Sequence, residues 1–266
     1  MTTPAITIFR GFPATPAYVW SPFACKLEAR LRFAGLAYKV DQGAPPKGPR
    51  GKIPYIALSK DGDSAPEMVS DTSMISEKLV DDGLAEDLKA KLTPVEKAQD
   101  AAVRALLEEK LYFYQTYERW EQNYYPMRDK ALAALPLPVK FLVGQLGYRK
   151  MSAALYGQGT GRLTAPEITK FKTEVWDHIN ALLTASSRKR GSGAPDGMFF
   201  VLGGGKPTEA DTSLFGFVAS GLVCDAAPET RKIIRSLPTV MDYADKIHRH
   251  FFPDYEHWDD DGKGEK

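Results

Sequence analysis

The sequence predicts an α/β domain in the order βαβ then ββα, followed by an all-helical domain. Two observations carry the first half. A strand, an amphipathic helix and a second strand fit between Ile6 and Val40, the length of a parallel βαβ unit. Two further strand-like runs, residues 53–58 and 67–69, are separated by a short polar turn and read as an antiparallel pair before another helix entry. The second half rests on capping signals and helical spacing from Thr93 onward.

Taken in order, Ile6-Thr7-Ile8-Phe9 alternates and is β-branched, so it reads as a strand, and a loop through Gly11, Pro13 and Pro16 leads to Ser21. Ser21 reads as an N-cap with Pro22 at the first helical position, where its missing N–H removes no bond. Phe23, Leu27, Leu31 and Ala34 form a core-facing stripe, Lys26, Glu28, Arg30 and Arg32 are expected in solvent, and Gly35 stops the helix. Residues 37–40 form the second strand, and residues 44–52 a surface loop carrying Lys47, Arg50 and Lys52. Pro54 opens the third strand, where a missing ladder donor is tolerated. Residues 59–63 turn the chain into the fourth strand, and Ser70-Asp71-Thr72-Ser73 supplies caps for a helix with Ile75 and Leu79.

Residues 83–92, charged and poor in core residues, are the expected linker between a domain at 1–84 and one at 94–258, with a charged tail at 259–266. Thr93 and Glu96 form a capping box for a long helix in which Phe113, Tyr117, Trp120 and Tyr124 share a face, with Tyr112, Tyr114 and Tyr125 nearby. Such a stripe serves either as core or as pocket lining. Residues 131–147 are apolar but broken by Pro136, Pro138 and Lys140, so a helix pair is expected there and no membrane span. Residues 165–183 read as a helix burying Trp176 and Ile179, residues 186–197 as a basic loop, and 199–202 as a buried run. Gly203-Gly204-Gly205-Lys206-Pro207-Thr208 is not a phosphate loop, because Phe200 replaces the first glycine and Pro207 separates Lys from Thr. Thr208 and Asp211 instead make a capping box for a helix at 212–223.

A formal net charge of +1 gives no footprint for nucleic acid or an anionic membrane surface. Cys25 and Cys224 are far apart, without metal or disulfide spacing, which fits a reduced compartment. The start has neither a basic nor an apolar leader region, so a cytoplasmic location is expected. His178, His248, His250 and His257 are too scattered for a metal site, so no metal is expected.

The strand order, with Ser21-Pro22-Phe23, Lys26-Leu27-Glu28, Gly51-Lys52-Ile53-Pro54-Tyr55-Ile56 and Ser70-Asp71-Thr72, resembles the thioredoxin-like N-terminal domain of glutathione transferases. The spelling looks closest to the subgroup of failed-axon-connections and metaxin proteins, and residues 156–162 and 199–217 are similar to that subgroup's helical domain. The resemblance implies the glutathione transferase fold, glutathione as co-substrate, a small hydrophobic second substrate of the detoxification type, and allows a homodimer.

The chemistry of the residues agrees with that implication. Asp71 can accept the ligand's ammonium, while Thr72 at a helix N-terminus suits its carboxylate. An extended tripeptide can pair with the backbone of Ile53, which a cis bond before Pro54 would expose; X–Pro bonds are mostly trans, and it is the resemblance that implies cis. Lys52, Arg50 and Lys47 offer cations for the glycine carboxylate, or are a solvated loop. Ser21 is the candidate for thiolate stabilisation: a hydroxyl bond at a helix N-terminus can lower a thiol pKa by about one to two units. It is equally a plain cap. Tyr18 is an alternative hydroxyl, and Cys25, one turn into the helix, is expected to face the core. Two functions follow: a transferase conjugating the glutathione thiolate to small apolar electrophiles, or a binding or scaffold protein of the metaxin type that keeps the fold.

Overall fold

The computed structural model describes residues 4–60, 65–133, 135–189 and 197–259. Strand β1 (Ala5–Phe9), helix α1 (Pro22–Phe33) and strand β2 (Lys39–Asp41) form the βαβ unit; β3 (Tyr55–Ser59), β4 (Glu67–Ser70) and α2 (Thr72–Asp81) complete the sheet region. The sheet order is β2-β1-β3-β4, with β1 parallel to β2 and antiparallel to β3, and β3 antiparallel to β4. Alternation along β1 turns Ile6 and Ile8 to one face, where they meet Ile56 and Leu58 of β3, Leu27 and Leu31 of α1, and Ile75 and Leu79 of α2. Part of the turn assigned to 59–63 lies outside the described residues, as do most of the basic loop at 186–197 and the charged tail.

The helical region begins with α3 (Pro94–Ala105), whose Thr93–Glu96 capping box is formed: Glu96 N donates to Thr93 Oγ1 at 3.3 Å and Thr93 N to Glu96 Oε2 at 2.8 Å. The rod continues through a π-helical stretch, Leu106–Leu111, then α4 (Tyr112–Tyr117) and a second π stretch, Glu118–Gln122. There follow α5 (Tyr124–Ala131), α6 (Leu137–Gln158), α7 (Ala165–Arg188), α8 (Glu209–Val223), α9 (Pro228–Arg235) and α10 (Pro238–Phe251). Helix α7 runs past the residues expected in the basic loop, because Ser186 Oγ is held inside by the Val201 carbonyl at 2.7 Å. No helix among the described residues is long and apolar enough to cross a membrane.

The largest departure from the expected pattern is in α1. Lys26, Glu28 and Arg30 do not face solvent; each is at most 2 % exposed. Leu27 and Leu31 pack on the sheet while Cys25 and Ala29 pack into the helical core with Phe215 and Phe217 of α8, so the helix has apolar neighbours on both sides and no wet face. Its charges are therefore paired internally. Lys26 Nζ donates to Glu108 at 2.7 Å, Arg30 Nε to Glu209 at 2.8 Å, and Glu28 accepts from Arg10 and Tyr38 at 3.2 Å each and from Tyr255. Arg32, half-buried, reaches Asp254. Gly216 allows the α1–α8 approach: a Cβ there would lie 2.5 Å from the Pro22 carbonyl oxygen and 2.7 Å from Lys26 N. After Phe33, Gly35 at φ +67° ends α1, and Leu36 N closes back on the Leu31 carbonyl at 3.0 Å.

Candidate functional site

The register of the sheet gathers the candidate residues at one end. Phe9, last in β1, pairs with Tyr55, first in β3, and Tyr55 pairs with Ser70, last in β4. The loop leaving β1, the Ile53–Pro54 segment entering β3 and the Asp71–Thr72 step leaving β4 thus share that end. Because β1 and β2 are parallel, α1 runs back between them, and its N-terminus with Ser21 lies at the same end.

The loop that delivers Ser21 is wound around one buried guanidinium. Arg10 is fully buried and donates to the carbonyls of Pro13 (Nη2, 2.5 Å), Thr15 (2.5 Å) and Ala17 (3.1 Å) as well as to Glu28. From the helical side, Arg119 Nη1 donates to the Trp20 carbonyl at 2.7 Å, one residue before Ser21. Neither arginine was singled out by sequence pattern, since their partners are carbonyls of a loop with no motif of its own. Arg119 forms no ion pair among the described residues, and its Nε and Nη2 are buried without a hydrogen-bond partner. It is an uncompensated positive charge close to the positive end of the α1 macrodipole.

Ser21 caps α1 in extended backbone geometry (φ −91°, ψ 114°), its Oγ accepting from Ala24 N at 3.3 Å. The cap uses a lone pair and leaves the hydroxyl proton to donate elsewhere. Next to it, Phe23 stands edge-on to Tyr112 (ring centroids 5.2 Å apart), and Tyr112 to Phe113 (5.3 Å). Those three rings are half-buried. The rest of the aromatic face leads elsewhere: Trp120 lies under Gly147, and Tyr124 stands against Tyr148 of α6 at 5.3 Å.

The Ile53–Pro54 peptide bond is cis, Pro54 is buried, and the Ile53 side chain lies so close to Gly11 that a Cβ there would meet Ile53 Cδ1 at 2.2 Å. Asp71 is exposed and holds φ +79°, a region non-glycine residues rarely occupy. Its Oδ1 accepts from Ser73 N at 3.0 Å and Met74 N at 3.3 Å, capping α2, while Oδ2 accepts no hydrogen bond among the described residues. Thr72 is buried beside it. Lys47, Arg50 and Lys52 are exposed and form no ion pair among the described residues.

Tyr18 and Cys25 are buried in the helical core and do not reach the surface at this end. Tyr18 is buried among Phe215, Phe252, Tyr255 and Trp258, its hydroxyl bonded to His248 Nδ1 at 2.8 Å, and burial pushes its pKa up. Cys25 Sγ donates to the Val19 carbonyl at 3.4 Å, and burial, with Glu28 nearby, raises its pKa to about 12. Neither is a reachable anion at neutral pH. A cavity of about 190 Å³ between α1, α2 and the helical region is lined by Lys26, Ser73, Ser76, Glu77, Arg104 and Glu209. Another, of about 660 Å³, lies at the far end of α1 beside Arg32, Tyr38 and Asp254. Neither is lined by Ser21, Ile53, Pro54 or Asp71.

Comparison with known proteins places the architecture. Residues 22–127 match the family model of the glutathione S-transferase N-terminal domain. The chain is similar over 93 % of its length to 96 % of the β-etherase LigF from Sphingobium sp. strain SYK-6, at 15 % identity and a TM-score of 0.58. The fold is that of the glutathione transferases. The same likeness extends to FzlA from C. crescentus (16 % identity, 93 % of this chain and 89 % of that one, TM-score 0.57). It extends also to a glutathione transferase family member from Pseudomonas fluorescens pf-5 with two glutathione bound (13 % identity, 93 % and 90 %, TM-score 0.54).

Proposed function

We propose that this protein is a glutathione transferase that binds glutathione on residues 1–84 and conjugates its thiolate to a small apolar electrophile held against residues 94–258. The observation that carries the reading is the convergence of the α1 N-terminus, Ile53–Pro54 and Asp71–Thr72 on one end of the sheet. In the proposed site the unused Oδ2 of Asp71 accepts the γ-glutamyl ammonium, and the backbone of Ile53 pairs with the cysteinyl segment. Lys52 meets the glycine carboxylate, and the Ser21 hydroxyl donates to the thiolate. The macrodipole of α1 and the buried Arg119 charge add to thiolate stabilisation. Phe23, Tyr112 and Phe113 offer the apolar surface nearest the thiol. A neighbour crystallised with glutathione bound supports the ligand, and the two unpaired cysteines support a reducing, cytoplasmic setting.

Titration calorimetry with glutathione, followed by the pH profile of conjugation to an aromatic halide, tests the proposal. Asp71→Ala should weaken binding, whereas Ser21→Ala should leave affinity nearly intact and move the profile up by about one to two units, the equivalent of a hydrogen bond to a charged group worth about 1.5 to 3 kcal/mol. Unchanged affinity in Asp71→Ala would refute the ligand's placement. One observation favours a second reading, a glutathione-fold binding or scaffold protein of the metaxin type: the two cavities described above lie away from Ser21. Glutathione binding without conjugation of any electrophile class would establish it.

A further inference from the structure

Helix α6 leaves an apolar face without a partner. Its inner side is packed through buried Gly144 and Leu155, and Tyr148 and Ser152 both donate to Glu121. On the outer side Val139, Leu142, Val143 and Leu146 recur at i, i+3, i+4 and i+7 and are 45, 62, 37 and 58 % exposed. At the start of the helix Leu137 and Phe141 are 78 and 65 % exposed as well. The four side chains of this outer stripe form a contiguous apolar patch of the kind that marks an interaction surface, whereas Leu137 and Phe141 stand on the side of Gly144 and Tyr148.

The charges around the patch indicate its partner. Within α6 the only ionisable acid–base charges are Lys140, Arg149 and Lys150; the helix has no aspartate or glutamate. None of the three forms an ion pair among the described residues. Lys150 follows Leu146 one turn later on the same face, and Arg149 stands in the same relation to Leu142 two turns on. In α5 and the connection before α6 the charges are Arg128, Asp129 and Lys130, and Asp129 is taken by Arg128 at 2.7 Å. Tyr156, further along the same helix, is exposed with Arg162 over its ring at 4.8 Å. The whole-chain charge of +1 conceals this local excess.

A second copy of the chain is a poor occupant. Two-fold pairing of α6 on itself would bring Lys140 of one copy toward Arg149 and Lys150 of the other, with no carboxylate on either helix to offset the repulsion. An apolar stripe bordered by cations without ion pairs among the described residues suits an anionic lipid surface, where the aliphatic groups enter the acyl boundary and the cations stay with the headgroups. We propose that the outer face of α6 docks the protein on anionic bilayers, lying in the interface without spanning it.

Co-sedimentation of the full chain with vesicles of phosphatidylcholine alone, and of phosphatidylcholine mixed with phosphatidylserine, tests this at low and high salt. Binding is expected to the mixed vesicles and to weaken with salt. Each basic residue near such a surface contributes about fivefold in partitioning, so Lys140→Gln, Arg149→Gln and Lys150→Gln together should lower it by about a hundredfold. Leu142→Glu with Leu146→Glu should abolish it, with helicity checked by circular dichroism. Equal binding to neutral vesicles, or no binding to mixed ones, overturns the proposal through the parent protein alone. Concentration-dependent self-association that Leu142→Glu removes would assign the face to a second copy and overturn it too.

Discussion

Helices α8 and α6 are the two apolar helices of the chain, and they meet opposite fates. Every residue of α8 from Glu209 to Leu222 is buried, whereas α6 buries only Gly144 and Leu155. Composition already favours burial of α8, whose charges are confined to its first turn while α6 carries Lys140, Arg149 and Lys150 along its length, and the treatment of their N-termini separates them further. A helix start sealed in the interior must find internal acceptors for its first N–H groups. In α8, Ala210 N donates to Asp100 at 2.8 Å, and Asp211 and Thr212 N to the Thr208 carbonyl at 3.1 and 3.3 Å. Asp211 in turn accepts from Val201 N, Thr208 N and the Tyr243 hydroxyl. Helix α6 follows Pro136 with no side-chain cap, and its first turn closes through the backbone, Lys140 N donating to the Pro136 carbonyl at 2.8 Å. Burial goes to the helix whose polar ends are satisfied from inside.

The sharpest way to break that contrast is at Asp211. Asp211→Ala leaves the buried N–H groups of Val201 and Thr208 without acceptors, at about 1–3 kcal/mol each, so a loss of about 3 to 4 kcal/mol is expected in urea unfolding. A loss below about 1 kcal/mol would mean that the first turn of α8 is satisfied some other way. The same group gives a pH signature. Burial, opposed by the N–H groups of Val201 and Thr208, raises the Asp211 carboxyl from 3.8 to about 6. Between those values the native chain holds a proton the unfolded chain has released. Its contribution to stability is therefore full below 3.8 and declines as pH rises through about 6. The stability of the parent relative to Asp211→Asn should fall across that window; a rise would refute the assignment.

A smaller effect is expected from paired glycine substitutions. In Gly216→Ala the new methyl meets the backbone of α1, which cannot yield, and about 1–3 kcal/mol should be lost by overpacking. In Gly144→Ala of α6 it meets Arg128 Cγ and Cδ at 2.7 and 2.8 Å and the Tyr124 hydroxyl at 2.9 Å, side chains that can shift where backbone cannot, and the gain in helix propensity of about 1 kcal/mol offsets part of that adjustment. Thermal melts of the two variants should differ clearly. Similar losses would show α6 to be as confined as α8.

The contrast also explains what was legible in the sequence. Local devices were: the Ser21 cap, the Thr93–Glu96 box, the Thr208–Asp211 box and the alternating strands are each written within a few residues and formed as read. The fates of charges were not. Lys26, Glu28 and Arg30 sit where helical spacing puts a wet face, but their partners lie far along the chain at Glu108, Arg10 with Tyr255, and Glu209. Only the second apolar layer, supplied by α8, removes the solvent from them. Arg10 and Arg119, which set the path into Ser21, were hidden for the same reason: their acceptors are loop carbonyls that no spacing encodes. At the sheet end, the candidate residues stood out in the sequence because each combines a turn or cap signal with its chemistry.

The smallest expected effect tests the other side of the comparison. Leu214 in α8 is fully buried and Leu146 in α6 is 58 % exposed, although both lie in the apolar runs of their helices. If the outer face of α6 is free in the isolated protein, Leu146→Ser removes no packed contact and leaves no cavity, and stability should stay within about 0.5 kcal/mol of the parent. Replacing an exposed leucine by serine changes helix propensity by a few tenths of a kcal/mol, within about the same range. Solubility should improve, since an exposed apolar residue has been removed. Denaturant midpoints in dilute protein without lipid make the measurement clean. A loss above about 1 kcal/mol would show Leu146 to be packed in the folded state. The contrast would then fail, because the burial of α6 would rest on a neighbour that the helix is described here as lacking.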